Sequence, residues 1–223
     1  MSNDEVYASG LLNRALDPAT QPPEIRAFLE AEIELLQDTV ADGMAVIDIG
    51  CGTGRHLAML RNRLRIGVGV DYAHAYLVEA RRRAGSGGLH FVTADAARLP
   101  IRARFDFATC LTNTWGTMSD KAGVLDEMRR CVPRPHMRLL SVFAEASIPA
   151  RREWYRRFGH AVVAESAEYL TTDGGLRSEH FTETRLRSLV LNCIVRDHTT
   201  AHLSRTAPYR WVGASSAPVT WHQ

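Results

Sequence analysis

Short apolar blocks separated by longer amphipathic or arginine-rich stretches dominate the middle of the chain. "VIDIG", "RIGVGVD", "LHFVTAD", "FDFATCLT" and "RLLSVFAE" each read as a strand. Between them lie helical stretches, among them "SDKAGVLDEMRRCV", for which Ser119 is the expected cap. Upstream, "PATQPPEIRAFLEAEIELLQDTV" places prolines at a first helical turn. Ile25, Phe28, Leu29, Ile33, Leu36 and Val40 follow at helical spacing. Strict strand and helix alternation predicts parallel pairing, because parallel neighbours need crossover connections. The expected fold class is therefore α/β, a doubly wound, mostly parallel seven-stranded sheet with helices on both faces.

The rhythm changes after Glu145. "PARREWYRRF" reads as a helix, and "AEYLTTDGGLRSEHF" as two short strands turned through Asp173, Gly174 and Gly175. Thr182 can cap "ETRLRSLVLN", and "CIVRDHTT" with "AHLSRTAPYRWV" predicts a closing strand pair. The expected organisation is an N-terminal helical cap over 1–43, a binding core over 44–146, an inserted helix and hairpin lid over 147–181, and closing strands over 182–223. The last ten residues are small and polar enough to fray.

Composition narrows the function classes. With 27 Lys and Arg against 25 Asp and Glu, and Lys121 the single lysine, the balance gives no electrostatic case for nucleic acid or an acidic membrane. Cys51, Cys110, Cys131 and Cys193 form no C-x-x-C pair, which suits a reducing cytoplasm. The first thirty residues lack a secretory pattern and no window approaches a membrane span, so a cytoplasmic protein is expected. The histidines and carboxylates show no ligand spacing, and no metal is assigned.

The chemistry gathers at "VIDIGCGTGRH". Gly50, Gly52 and Gly54 follow a strand at spacings of two, as a tight turn or a close ligand approach requires. In the dinucleotide register Arg55 occupies the third glycine's place, and the Gly-Lys-Ser/Thr of a P-loop is missing, which argues against nicotinamide and nucleoside triphosphate. In an open α/β sheet ligands bind beyond the carboxyl ends of the strands. Asp48, Asp71 and Asp95 stand there, and Asp71 is placed to accept two hydrogen bonds from a ribose diol.

"VIDIGCGTG", "VGVDYA", "VTADAARLP" and "FDFATCLTN", in this order and spacing, resemble the class I S-adenosylmethionine-dependent methyltransferases, over about Ala45 to Glu145. The resemblance implies S-adenosylmethionine as cofactor, with Gly50, Gly52 and Gly54 beneath its methionine portion and Asp48 holding the ammonium indirectly. It further implies Asp71 on the ribose, Tyr72 against the adenine, Asp95 and the Ala96 amide on the adenine edge, and Leu111 beside the cofactor. "CLTNTWGTM" is similar to a segment of small-amine N-methyltransferases, which implies a small-molecule amine acceptor, and the preference for arginine over lysine suits specialised metabolism. Asn113 would orient it, Trp115 would wall the pocket, and Glu179 or His180 on the hairpin would act as base. Hydroxyl and carbon acceptors, and a non-catalytic S-adenosylmethionine-binding protein, are the alternatives; the oligomeric state is open.

Overall fold

The computed structural model describes residues 3–8, 21–85, 87–133, 137–190, 193–197 and 209–214. Five parallel strands form its centre: β1 (Ala45–Ile49), β2 (Ile66–Asp71), β3 (Leu89–Thr93), β4 (Phe107–Cys110) and β5 (Arg138–Phe143), in the order β3-β2-β1-β4-β5. The order reverses between β1 and β4, so the carboxyl ends of these two neighbours open the crevice in which such sheets bind ligands. β1 is buried along its whole length. Crossover helices α3 (Arg55–Leu60), α4 (His74–Ala84) and α5 (Lys121–Cys131) connect the strands. Asp120, not Ser119, caps α5: its side chain accepts from the Gly123 amide.

Two apolar clusters lie on the two faces of the sheet. One gathers Phe28, Leu29, Leu57, Leu77, Phe107 and Phe143, the other Ile47, Val70, Trp115, Val124, Leu140 and Phe181. The first is roofed by α2 (Pro23–Thr39), which starts at prolines as expected and buries Ile25, Phe28, Leu29 and Leu36. Ile33 is only half-buried; Glu32 takes the buried position beside it.

Beyond β5, α6 (Ile148–Arg157) leads into an antiparallel sheet of β6 (Val162–Glu165), β7 (Tyr169–Thr172) and β8 (Arg177–Glu179). The turn through Asp173-Gly174-Gly175 joins β7 to β8, and β6 is a third strand that the alternating pattern did not reveal. Thr182 caps α7 (Glu183–Leu189) by accepting from the Arg185 amide. At the β5 edge of the main sheet, β10 (Tyr209–Ala214) pairs antiparallel with β5, and β9 (Cys193–Asp197) pairs with β10. The frayed terminus expected over the last ten residues lies, apart from Ala214, outside the described residues. Among the described residues, no helix is long and apolar enough to cross a membrane.

Candidate functional site

One cavity of about 490 Å³ lies beyond the carboxyl ends of β1, β2 and β4, within the size range of small-molecule sites. At one end it is lined by Gly50, Gly52, Asp71, Tyr72, Asp95 and Ala96, and at the other by Phe143, Trp154, Tyr155, Phe158 and Leu176.

The glycine loop shows why these residues are small. Gly52 has φ +53°, and a Cβ there would meet nothing within 4 Å, so its backbone faces open cavity. Gly50 has φ +70°, and a Cβ would lie 2.1 Å from the Thr114 methyl. Any side chain at either position is strained or clashes. Gly54 packs against Phe91 and does not line the cavity.

Asp71 ends β2 and ties the loop to it: Oδ2 accepts from the Gly52 amide and Oδ1 from the Ala73 amide, each at 2.9 Å. Burial lifts its pKa above the usual carboxylate value despite these amide bonds, and the Asp48 charge adds to the rise. The carboxylate needs further donors, which a ribose diol would supply. Tyr72 is half exposed beside it, with its hydroxyl 3.3 Å from the Asn3 carbonyl. Asp95 Oδ1 caps the following turn through the Ala97 amide. Open space at Gly52, an acid at the end of β2 and a second acid after β3 thus match the outline of S-adenosylmethionine.

Asp48 lies behind the loop. Its Oδ1 accepts from Thr109 at 2.7 Å, while Oδ2 is buried without a hydrogen-bond partner. Leu111 is buried and likewise off the cavity. Both support the site from beneath.

Thr112 and Asn113 take left-handed backbone, with φ +55° and +57°, which non-glycine residues adopt only where their surroundings enforce it. Asn113 is held by its own side chain, and Thr112 by Glu32 of α2, which is fully buried. Its Oε1 accepts from the Thr112 amide at 2.6 Å and from the Ser141 hydroxyl at 2.5 Å, and its Oε2 from the Thr112 hydroxyl at 2.7 Å. Arg55 Nη2 reaches Oε2 at 3.2 Å, and His56 lies between Glu32 and Asp48. Burial alone would raise the Glu32 pKa; His56, Arg55 and Ser141 outweigh it and hold the carboxyl below its usual value. Its only sequence signal was an acid on the apolar stripe of α2.

Four expectations are corrected by placement. Asn113 does line the cavity, but its side chain is consumed: Oδ1 accepts from the Phe143 amide, and Nδ2 donates to Ser178 Oγ and the Glu179 carbonyl. Both of its N–H donors are spent within the protein, so none is left to donate to an acceptor. Trp115 is fully buried, stacked on Phe181 at 5.3 Å and donating to the Lys121 carbonyl, because its ring fills the core beneath the loop. Glu179 is held between Lys121 and Arg185, each at 2.7 Å. His180 is buried off the cavity beside Arg151; burial and that guanidinium push its pKa below the usual histidine value.

Residues 46–134 match the family described as a methyltransferase domain. No curated protein matches the chain by sequence. An S-adenosylmethionine-dependent methyltransferase from Clostridium acetobutylicum superposes with TM-score 0.60 at 13% identity, covering 82% of this chain and 88% of its own. The 1,6-didemethyltoxoflavin-N1-methyltransferase of Burkholderia thailandensis gives 0.60 at 17%, over 94% and 86%. An amino pentose methyltransferase of Micromonospora echinaspora gives 0.52 at 17%, over 85% and 89%. At these identities the structures speak to the fold, and the family match over the glycine loop and both acids speaks to the chemistry. Over residues 46–134 the chain matches a methyltransferase domain, on a fold shared with S-adenosylmethionine-dependent methyltransferases of known structure.

Proposed function

We propose that the protein methylates a small planar molecule seated in the aromatic end of the cavity. The observation that carries this reading is the continuity of that cavity: the cofactor residues and the aromatic chamber share one space. S-adenosylmethionine supplies a methyl group on a sulfonium. Gly50, Gly52, Asp71, Tyr72, Asp95 and Ala96 would hold the cofactor, with Asp48, Gly54 and Leu111 supporting them. Phe143, Trp154, Tyr155 and Phe158 would hold the acceptor in line and exclude water, and alignment of this kind can supply much of the rate. The solved relatives with an amino pentose and a didemethyltoxoflavin in their names support a small-molecule acceptor. The amine expectation came from the likeness of the Cys110–Met118 segment to small-amine N-methyltransferases; the part it gave Asn113 is set aside, because both N–H donors of that side chain are engaged within the protein.

The hairpin reads as a fixed wall of this chamber. Leu176 and Ser178 face it, while Asn113, Lys121 and Arg185 pin β8 from behind. The closing element is instead α1 (Asn3–Ala8). Asn3 borders the cavity and bridges its two rims: Nδ2 donates to the Thr117 and Arg177 carbonyls, and Oδ1 accepts from the Arg177 amide, all at 2.6 Å.

The test is incubation with methyl-labelled S-adenosylmethionine and fractionated cell extract. Label should appear in the low-molecular-weight fraction and disappear with Gly52→Val. Label in RNA or protein instead would overturn the reading.

A further inference from the structure

Arg151, in the middle of α6, is completely buried. Nη2 donates to the Ser178 carbonyl at 2.7 Å and lies 3.4 Å from the Tyr155 hydroxyl. The guanidinium carbon sits 4.7 Å from the centroid of the Phe143 ring and 5.9 Å from that of Tyr155. Nη1 approaches His180 Nδ1 at 3.5 Å, and Nε is buried with no hydrogen-bond partner. Among the described residues no carboxylate pairs with it, since Glu165 is taken by Arg152 and Glu179 by Lys121 and Arg185.

A guanidinium removed from water needs a counter-charge; carbonyls, hydroxyls and ring faces are dipoles and compensate only in part. Arg55, Arg82, Arg130 and Arg185 each pair with a carboxylate, while Arg81, Arg138 and Arg177, which pair with none among the described residues, all reach solvent. Arg151 is an exception with a particular address, because Phe143, Tyr155 and Ser178, three of its contacts, line the cavity. The carboxylates Asp71, Asp95 and Asp120 line that cavity as well, yet none of them pairs with Arg151.

We infer that the acceptor carries an anionic oxygen group, a carboxylate or an ionised hydroxyl on a planar body, which lies against Tyr155 and Ser178 with Arg151 as its counter-charge. The inference rests on the methyl-transfer reading and specifies its substrate class. Arg151 acts as a positioning residue, its charge reaching the ligand through the Tyr155 hydroxyl and the Phe143 and Tyr155 rings. A simple amine is disfavoured at the same place, because methylating it leaves a second cation beside an unpaired guanidinium.

The test is calorimetric titration of the S-adenosylhomocysteine-saturated protein with benzoate, benzamide and benzylamine, which share a ring and differ in charge. Benzoate should bind at least about tenfold tighter than benzamide, and benzylamine more weakly than either. Arg151→Met should abolish that preference with S-adenosylhomocysteine affinity unchanged, and Arg151→Lys should restore part of it. A merely structural arginine would move stability without moving anion selectivity. Equal affinities, a preference for benzylamine, no benzoate binding at millimolar concentration, or an anion preference that survives in Arg151→Met would each overturn the inference. Should the methionine variant not fold, the wild-type ranking and the lysine variant decide. Failure of S-adenosylhomocysteine itself to bind the wild type would strike the methyltransferase reading instead, and it registers before any probe is added.

Discussion

At the scale of single residues, Asp71 is proposed to hold the ligand, whereas Glu32 holds the loop after β4. Asp71 keeps a raised pKa because burial outweighs two amide bonds, whereas ribose hydroxyls donating to its charged form would lower it in the complex. Proton release therefore accompanies binding, and affinity for S-adenosylhomocysteine should fall as pH drops through the raised value of the free protein. Asp71→Asn should flatten that dependence, and Asp71→Ala should weaken binding at least about tenfold at neutral pH, since bonds to a charged acceptor contribute roughly 1.5–3 kcal/mol each. Titration calorimetry between mildly acid and neutral pH checks both, and a wild-type profile in the asparagine variant would remove Asp71 from the ribose. Glu32 makes a different prediction. Glu32→Ala removes the carboxylate of Arg55 and frees the left-handed Thr112, which should cost about 3–5 kcal/mol of stability in urea unfolding. Asp71 was legible in the sequence because strand ends announce themselves by the acid that follows an apolar run. Glu32 was not, because a buried acid looks like any other charge on a helix until its partners, 80 and 109 residues away, are known.

At the scale of elements, periodicity located the central strands and their helices, since buried strands leave unbroken apolar runs. It failed on β6, whose four-residue apolar run, Ala161 to Ala164, is short and mostly exposed. It also misassigned the hairpin's part: the sequence showed a glycine turn but not that Asn113 and three ion-paired side chains would clamp its second strand. The proposed closing role passes to α1, which Asn3 ties to the Thr117 and Arg177 backbone while the buried Val6 joins the first apolar cluster. Asn3→Ala should raise the dissociation rate of S-adenosylhomocysteine several-fold, since three hydrogen bonds of about 0.5–1.5 kcal/mol each are lost. The melting temperature should change little, because Val6 keeps α1 anchored in the first apolar cluster when the Asn3 side chain is removed. Stopped-flow displacement measures the rate; an unchanged rate would leave α1 without a closing role. His180 adds a pH signature to the hairpin. Its folded pKa lies below the unfolded value of about 6.5, so the folded state binds fewer protons, and its stabilising share is present above that value and lost as pH falls toward the folded one. His180→Gln should flatten the melting temperature across that window.

At the scale of the whole molecule, the glycine loop touches both apolar clusters, because it leaves β1 at the centre of the sheet with Ile49 in one cluster and Cys51 in the other, and Gly50 lies against Thr114 of the loop after β4. A ligand seated on the loop bears on both faces at once, so its binding energy should appear as global stability rather than local ordering. For a ligand that binds only the folded state, saturation at a hundredfold excess over Kd contributes about 2.7 kcal/mol. In a chain of this length each kcal/mol shifts the melting temperature by about 2–4 °C, so S-adenosylhomocysteine should raise it by roughly 5–11 °C. NADH should not, since Arg55 stands where a dinucleotide loop needs its third glycine. Gly52→Val is the decisive variant. Its side chain enters open cavity and clashes with nothing, so the valine protein should fold, at a cost of about 1–2 kcal/mol for left-handed backbone. What it should lose is the ligand-induced shift. Scanning calorimetry of both proteins with and without each ligand gives a direct comparison: a single transition that moves with S-adenosylhomocysteine only in the wild type places the cofactor on Gly52. A shift that persists in the valine protein would place the cofactor elsewhere and reduce the loop to a turn.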